Sequence, residues 1–402
     1  MLSSFDLDKT YQYLLIVLAF LIPLTVSGAN TIIVIICFLW LFSGDYKSKF
    51  NQIIRSKLMI ASIVFYFLHV VGMLWTEDIN WGFHMLHKMW YFLLFFPILY
   101  NIVKRENFQY CISAFLIAIA ITELISYLIW FEIIPPLKNA SVVNPTPFMS
   151  HISYNPILTF ALYIVLHQIF FNKNLSNLKF SIYSFFSISM IINMFITGGR
   201  AGQVMFFAML SILIFQFFNG KKIKSLLMII IIIPIVFFTS YQTSNLFKLR
   251  VDAAVSEIMT YSENKKSMTS SVGQRITFVL NSWEIIKKNP IIGTGTGDFP
   301  TEYQKMKSVR TPYVSSTTNP HNMYILILVQ LGLVGLISML AIFYLQIKHS
   351  FYASNKFIRD TGITLPLLFL VIMLSDSYLL GHFTTLMFIF FSSFLYKDSE
   401  HN

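Results

Sequence analysis

The stretch Lys221–Ser240 reads KKIKSLLMIIIIIPIVFFTS: a basic cluster and then an apolar run from Ile223 to Ser240. A membrane-crossing helix needs roughly 20 mostly apolar residues. Working outward from this run in both directions, about twelve comparable runs can be drawn. They are Tyr11–Val26, Ala29–Phe42, Leu58–Trp75, Met89–Val103, Tyr110–Ile134 and Pro156–Phe171, then Phe180–Ile196, Gln203–Phe218, Ile223–Ser240, Met323–Ile347, Ile363–Leu380 and Phe383–Tyr396. Of the 402 residues 56% are hydrophobic and only 12% charged, about half the charged share of a soluble domain. The pattern predicts an all-α polytopic membrane protein of about twelve transmembrane helices with one long outer loop. It divides into a bundle over 1–240 (spans one to nine), the loop over 241–320, and a second bundle over 321–402. The first run lacks a basic flank and a small-residue cleavage site, so it is expected to be a retained span.

Charge placement tests this layout. With the N-terminus in the cytoplasm, the inner loops hold Lys47, Lys49, Arg55 and Lys57; Lys104 and Arg105; Lys173 and Lys179; Lys221, Lys222 and Lys224; Lys348, Lys356 and Arg359; and Lys397. The short outer loops hold only Lys88, Lys138 and Arg200. Basic clusters in short loops mark the cytoplasmic side, so both termini are expected there. The net charge of +11 therefore belongs to membrane loops and not to a nucleic-acid face. Cys37 and Cys111 fall in or beside spans and imply neither a disulfide nor a metal site.

The long segment Tyr241–Pro320 is polar and holds a helix over about 273–288. Its apolar residues Ile276, Val279, Leu280, Trp283 and Ile286 recur at helical spacing, and Asn289-Pro290 ends it. A second outer loop, Pro135–Asn155, carries four prolines.

Several outer residues could carry chemistry. Arg200 sits in Thr197-Gly198-Gly199-Arg200-Ala201-Gly202, a turn whose glycines let it close tightly. It either snorkels to headgroups or marks an anion site at the bundle mouth. Arg275, in Gly273-Gln274-Arg275, is a solvated charge or a second guanidinium for a phosphate, which arginine grips bidentately. In Asn319-Pro320-His321-Asn322, Asn319 suits an N-cap and Pro320 the first helical position. His321 then falls in the first helical turn, where the dipole disfavours imidazolium and leaves a neutral base. The glycines of Gly293-Thr-Gly295-Thr-Gly297-Asp-Phe299 form a compact turn or an anion nest. His84, His87 and Lys88 make a small cationic cluster, and His151 lies in the Pro-rich loop. Glu123 is an acid inside a span and must be paired or face a cavity. There is no H-E-x-x-H, no His/Cys cluster, no outer D-x-D pair and no Walker motif, so an enzyme here is expected to need neither metal nor ATP.

Read in order, Thr197-Gly-Gly-Arg200, Gly273-Gln-Arg275, Trp283, Asn289-Pro290, Gly293 to Phe299, Asn319-Pro-His321-Asn322, Gly332 and Gly335 resemble the O-antigen ligase/polymerase superfamily. The motif match covers about Thr197 to Gly335, and the span layout extends it along the chain. The resemblance implies a GT-C-like, metal-independent, inverting glycosyltransferase without cofactor. Such ligases move a glycan from undecaprenyl diphosphate to lipid A–core at the periplasmic face of the bacterial inner membrane. Carried over, His321 would act at the acceptor hydroxyl as base or orienting group, and Arg200 and Arg275 would hold the diphosphate. Asn322, Gly295, Gly297, His84, Lys88 and His151 complete the expected substrate contacts. Within the superfamily a polysaccharide polymerase or a protein O-oligosaccharyltransferase is the alternative. From another class, twelve spans suit a transporter of lipid-linked sugar or anions, although the halves show no repeat.

Overall fold

The computed structural model describes residues 6–137, 140–261 and 268–397; Lys138 lies outside them. Among the described residues the fold is helical, with one isolated bridge, Ser141 to Asn144, in place of any strand. The N-terminal part runs α1 (Leu7–Leu21), α2 (Val26–Phe42), α3 (Tyr46–Arg55) and α4 (Lys57–Gly72). Next come α5 (Ile79–Trp90), a π-turn over Tyr91–Phe95, α6 (Phe96–Ile102) and α7 (Phe108–Trp130). The centre is α8 (His151–Phe171), α9 (Asn177–Ile196), α10 (Arg200–Phe217) and α11 (Lys222–Thr243). The long segment folds into α12 (Asn245–Met259), α13 (Ser271–Lys288) and α14 (Phe299–Arg310). The chain closes with α15 (Met323–Phe351), α16 (Lys356–Ile372) and α17 (His382–Leu395).

Apolar side chains on nearly every face of α8 put it at the middle of the bundle, packed against α7, α9, α10, α16 and α17. By contrast α11, the run that opened the reading, buries only Ser225 and Ser240. A helix that is apolar all round and faces outward is a lipid-facing span.

Among the described residues seven helices are long and apolar enough to cross a membrane: Lys57–Trp75, Arg105–Trp130, His151–Phe171, Asn177–Ile196, Arg200–Phe217, Lys222–Thr243 and Met323–Phe351. These coincide with seven of the expected spans. The other five runs differ for identifiable reasons. The helices α1, α2, α16 and α17 have 15, 17, 17 and 14 residues, shorter than one full crossing. After α2 the chain bends by 116° into the polar α3. The run Met89–Val103 is interrupted by the π-turn and by Pro97. The segment Met373–Leu380, expected within a span, lies outside any helix.

Both ends of the described chain sit at one face. Asp8 pairs with Lys104 at 2.6 Å, and Lys397 reaches the carbonyl of Asn101 at 3.3 Å. The ends of α8 and α10 and the starts of α9 and α11 carry the basic cluster of Lys173, Lys179, Lys221, Lys222 and Lys224.

The outer segment is tied into the bundle where α15 breaks. At Gly332 the backbone turns to φ +59°, and residues 290–295 lie in the gap. Leu333 N–H donates to Pro290 O at 2.9 Å and Val334 N–H to Ile291 O at 3.2 Å. Thr294 N–H donates to Val329 O at 2.8 Å and Gly295 N–H to Gln330 O at 3.0 Å. These bonds satisfy groups that a broken helix would orphan in the membrane. A Cβ at Gly332 would stand 2.3 Å from the Ile291 carbonyl. Beyond the gap, Thr296 Oγ1 donates to His69 O at 2.6 Å. The buried Asp298 carboxylate accepts from the N–H groups of Glu77 (2.9 Å) and Asp78 (2.8 Å). Clash and strain together should make Gly332→Ala cost about 3 kcal/mol. At Gly220 (φ +79°) a Cβ would meet nothing within 4 Å, so Gly220→Ala should cost about 1 kcal/mol. Thermal melts of the two variants in detergent should therefore place Gly332→Ala well below Gly220→Ala.

Candidate active site

The turn between α9 and α10 is held by two asparagines. Asn155, fully buried on α8, accepts from Thr197 Oγ1 at 2.8 Å and donates to Gly199 O at 3.3 Å. Asn144 accepts from Gly198 N–H at 3.1 Å, and its amide meets His151 Nδ1 at 2.7 Å. Any side chain at Gly202 would collide with Asn155, whose Cβ would be 2.1 Å away. The glycines of the motif thus let α10 press against α8 and fix where Arg200 emerges.

Arg200 opens into a cavity of about 80 Å³. Around the same cavity stand His151 from the start of α8, Arg250 from α12, Ser271 and Arg275 from α13, and Asp376 and Tyr378 from the α16–α17 connection. The Nη1 of Arg200 is buried without a hydrogen-bond partner. None of the three arginines forms a salt bridge within 4 Å among the described residues. Partly buried positive charge in excess of the carboxylates near it is costly, and a bound anion lowers that cost.

His321 lies beside this cavity but not where the sequence predicts. The helix α15 starts at Met323 and is capped by Asn322, whose Oδ1 accepts from Ile325 N–H at 3.1 Å. His321 therefore precedes the helix, in a left-handed conformation (φ 52°). The expected cap, Asn319, has other partners. It accepts from His321 N–H (2.9 Å) and Ser377 Oγ (2.8 Å) and donates to Asp376 Oδ1 (2.9 Å). His321 Nδ1 is 3.3 Å from Asp376 Oδ2, an ion-pair contact whose angle falls short of a well-formed hydrogen bond. A carboxylate, and not the first turn of a helix, is thus what stands beside this histidine. Burial pushes the Asp376 carboxyl up, but His321, the Ser377 N–H and the Asn319 amide outweigh it and hold it below the usual carboxylate range.

The remaining expected contacts separate into two groups. His151 lines the arginine cavity. Lys88 lines a neighbouring cavity of about 210 Å³ that shares Ile152, Asp376 and Tyr378 with the first. His84 is exposed and packs tilted against Trp81, ring centroids 4.7 Å apart; it lines neither cavity. Asn322 is engaged in its cap and in a bond to Leu374 O at 3.2 Å. The N–H groups of Gly295 and Gly297 go to Gln330 O and Thr76 Oγ1, so the glycine turn is a structural tie and not an anion nest. Glu123 is buried on α7 and accepts from Ser189, away from both cavities.

Three site residues were missed. Asp376 and Tyr378 were hidden inside an expected span, Ile363–Leu380. An acid in an apolar run was itself the available signal, because it is expensive there. Arg250 stands among many loop cations and had no distinguishing neighbour in sequence.

Residues 185–340 match a family model described as O-Antigen ligase, Wzy_C. Over that segment, which is less than half of its length, the chain is similar to the O-antigen ligase family. Members of this family are glycosyltransferase-like ligases and polymerases that act on lipid-linked glycans. Arg200, Arg250, Arg275 and His321 lie within the matched segment, whereas Lys88, His151 and Asp376 lie outside it. The chain is also 28% identical over 316 residues to a protein of Haemophilus influenzae described as uncharacterized, covering 74% of this chain and 73% of that one.

Two outcomes test the geometry. Each of Arg200→Ala, Arg250→Ala and Arg275→Ala removes a charge-assisted contact to an anion. Each should weaken binding of a diphosphate probe by about 1.5–3 kcal/mol, measured by titration calorimetry in detergent. The depressed carboxyl of Asp376 contributes stability fully present above the ordinary value of about 3.9. That contribution is lost as pH falls through the lower folded value. Asp376→Asn should therefore melt below wild type at pH 7, and the gap should close as pH drops below about 4.

Proposed function

We propose that the chain is an inner-membrane glycosyltransferase that moves a glycan from undecaprenyl diphosphate onto lipid A–core, inverting the anomeric centre. The observation that carries this reading is the cavity where Arg200, Arg250 and Arg275 converge beside the His321–Asp376 pair. A phosphoanhydride leaving group gains charge as the sugar–oxygen bond breaks, and preorganised guanidinium groups stabilise that charge in a low-dielectric site. No divalent cation is needed for this part of the chemistry. The acceptor hydroxyl attacks the anomeric carbon from the opposite face, and its proton passes to the His321–Asp376 pair. Asp376 lines the cavity, and His321 backs it; together they can act as general base.

The sidedness follows from the charges. The cavity gathers the starts of α8 and α10, the end of α9 and the α16–α17 connection. The basic clusters lie at the other ends of these helices, which favours a cytoplasmic location for them and for both termini. On this reading the site opens to the periplasm, with α12, α13 and α14 as its roof.

His321→Ala and Arg275→Ala should leave the protein folded and lower transfer by at least about 10²-fold. The assay uses purified protein in detergent with undecaprenyl-diphosphate glycan and EDTA, with and without lipid A–core. Product that requires lipid A–core and survives EDTA supports the ligase. Polymer formed without lipid A–core assigns the polymerase instead. Movement of unmodified donor across a bilayer, with no covalent product, would make the chain a transporter.

A further inference from the structure

Resting on the glycosyl-transfer reading, we infer that the cavity beside the arginine site is the acceptor subsite and that it selects a sugar bearing a phosphate or carboxylate. This second cavity has a volume of about 210 Å³ and meets the first at Asp376 and Tyr378. One wall is a stripe of α5: Trp81, Met85 and Lys88, spaced i, i+4 and i+7 and so on one helical face. The indole Nε1 of Trp81 is buried and has no hydrogen-bond partner, and neither has the buried hydroxyl of Tyr378. Buried donors of this kind are nearly always paired in a folded protein. Two of them beside one cavity call for a ligand rich in oxygen atoms.

The same wall offers an aromatic ring, which suits the apolar C–H face of a pyranose, while Thr318 and Ser377 add hydroxyls. A saccharide presents this combination of a carbon-bound face and a rim of hydroxyl groups. Lys88 adds the selective element. It makes no salt bridge among the described residues, and it stands on the same face as Trp81. A cation one turn and more along from the stacking ring reads a charged substituent on or next to that sugar. The shared carboxylate fixes the direction of transfer. A hydroxyl of a sugar on Trp81 faces Asp376, and the arginine cavity lies on the other side of that residue.

Two measurements on the full chain in detergent test the inference. The first is transfer kinetics with a phosphorylated core oligosaccharide acceptor and its dephosphorylated counterpart. Lys88→Ala should raise KM for the phosphorylated acceptor about tenfold or more, with little change for the dephosphorylated one and none in the donor KM. Trp81→Ala should raise KM for both acceptors, by roughly two- to tenfold. Equal effects of Lys88→Ala on both acceptors, or an effect on donor KM, would overturn the assignment. If wild type transfers to neither acceptor, it is the glycosyl-transfer reading that fails. The subsite is then judged by the second measurement, saturation-transfer NMR with glucose 6-phosphate and glucose as probes. Wild type should prefer the phosphorylated probe, Lys88→Ala should lose that preference, and Arg275→Ala should keep it. Loss of preference in both variants would place the phosphate in the arginine cavity, and no preference in wild type would remove the subsite altogether.

Discussion

Three guanidinium groups, those of Arg200, Arg250 and Arg275, surround one small cavity, and Asp376 is the one carboxylate lining it. That carboxylate is already shared between His321 and Asn319. Positive charge is therefore in excess at a place partly screened from water, where screening by solvent is weak. A fold holds such an excess only if the surrounding backbone leaves the side chains no escape. The two asparagines that clamp the Thr197–Arg200 turn do this for Arg200. The bond from the Glu257 carboxylate to the N–H of Val272, at 2.7 Å, ties α12 to the start of α13 and so joins the elements that carry Arg250 and Arg275.

The rest of the outer segment serves the same end by a different route. The glycine-rich turn after α13 enters the gap in α15, and Asp298 beyond it grips the backbone ahead of α5. This positions α5 and its Trp81–Lys88 face against the α16–α17 connection. Burial raises the Asp298 carboxyl, and the two N–H groups that it accepts from partly offset that. The bonding is structural, with no exposed face for a substrate. Residues that could form an anion nest by sequence thus do their work through packing and hydrogen bonds.

The membrane class, the helical content and most of the long spans were legible because apolar length is a direct requirement of the bilayer. Arg200, Arg275 and His321 were singled out by the short motifs that hold them, and the structure gathers them near one another. What could not be read was which asparagine caps α15. Asn319 and Asn322 are chemically equal, and the choice depends on Asp376, more than fifty residues away in sequence. Shorter runs were over-read for a related reason. The helix α17 buries nearly all of its side chains in protein, and a buried core helix and a membrane span have the same composition. Arg250 was invisible because it stands among many loop cations and the packing of α12 that brings it to the cavity is tertiary.

The order of the chain gives the arginine cavity an unusual history. Its walls come from residues 151 to 378, and Asp376 and Tyr378 follow all the other lining residues in synthesis. All helices of the family-matched segment can insert before the cavity has a floor. Contacts this distant in sequence form late because a long loop must close first. Until they do, the cluster of arginines stands open to water and lipid headgroups, which keep it solvated while the bundle is still assembling. A chain stopped short of the α16–α17 connection would keep its spans and its arginines while lacking the group that turns them into a site.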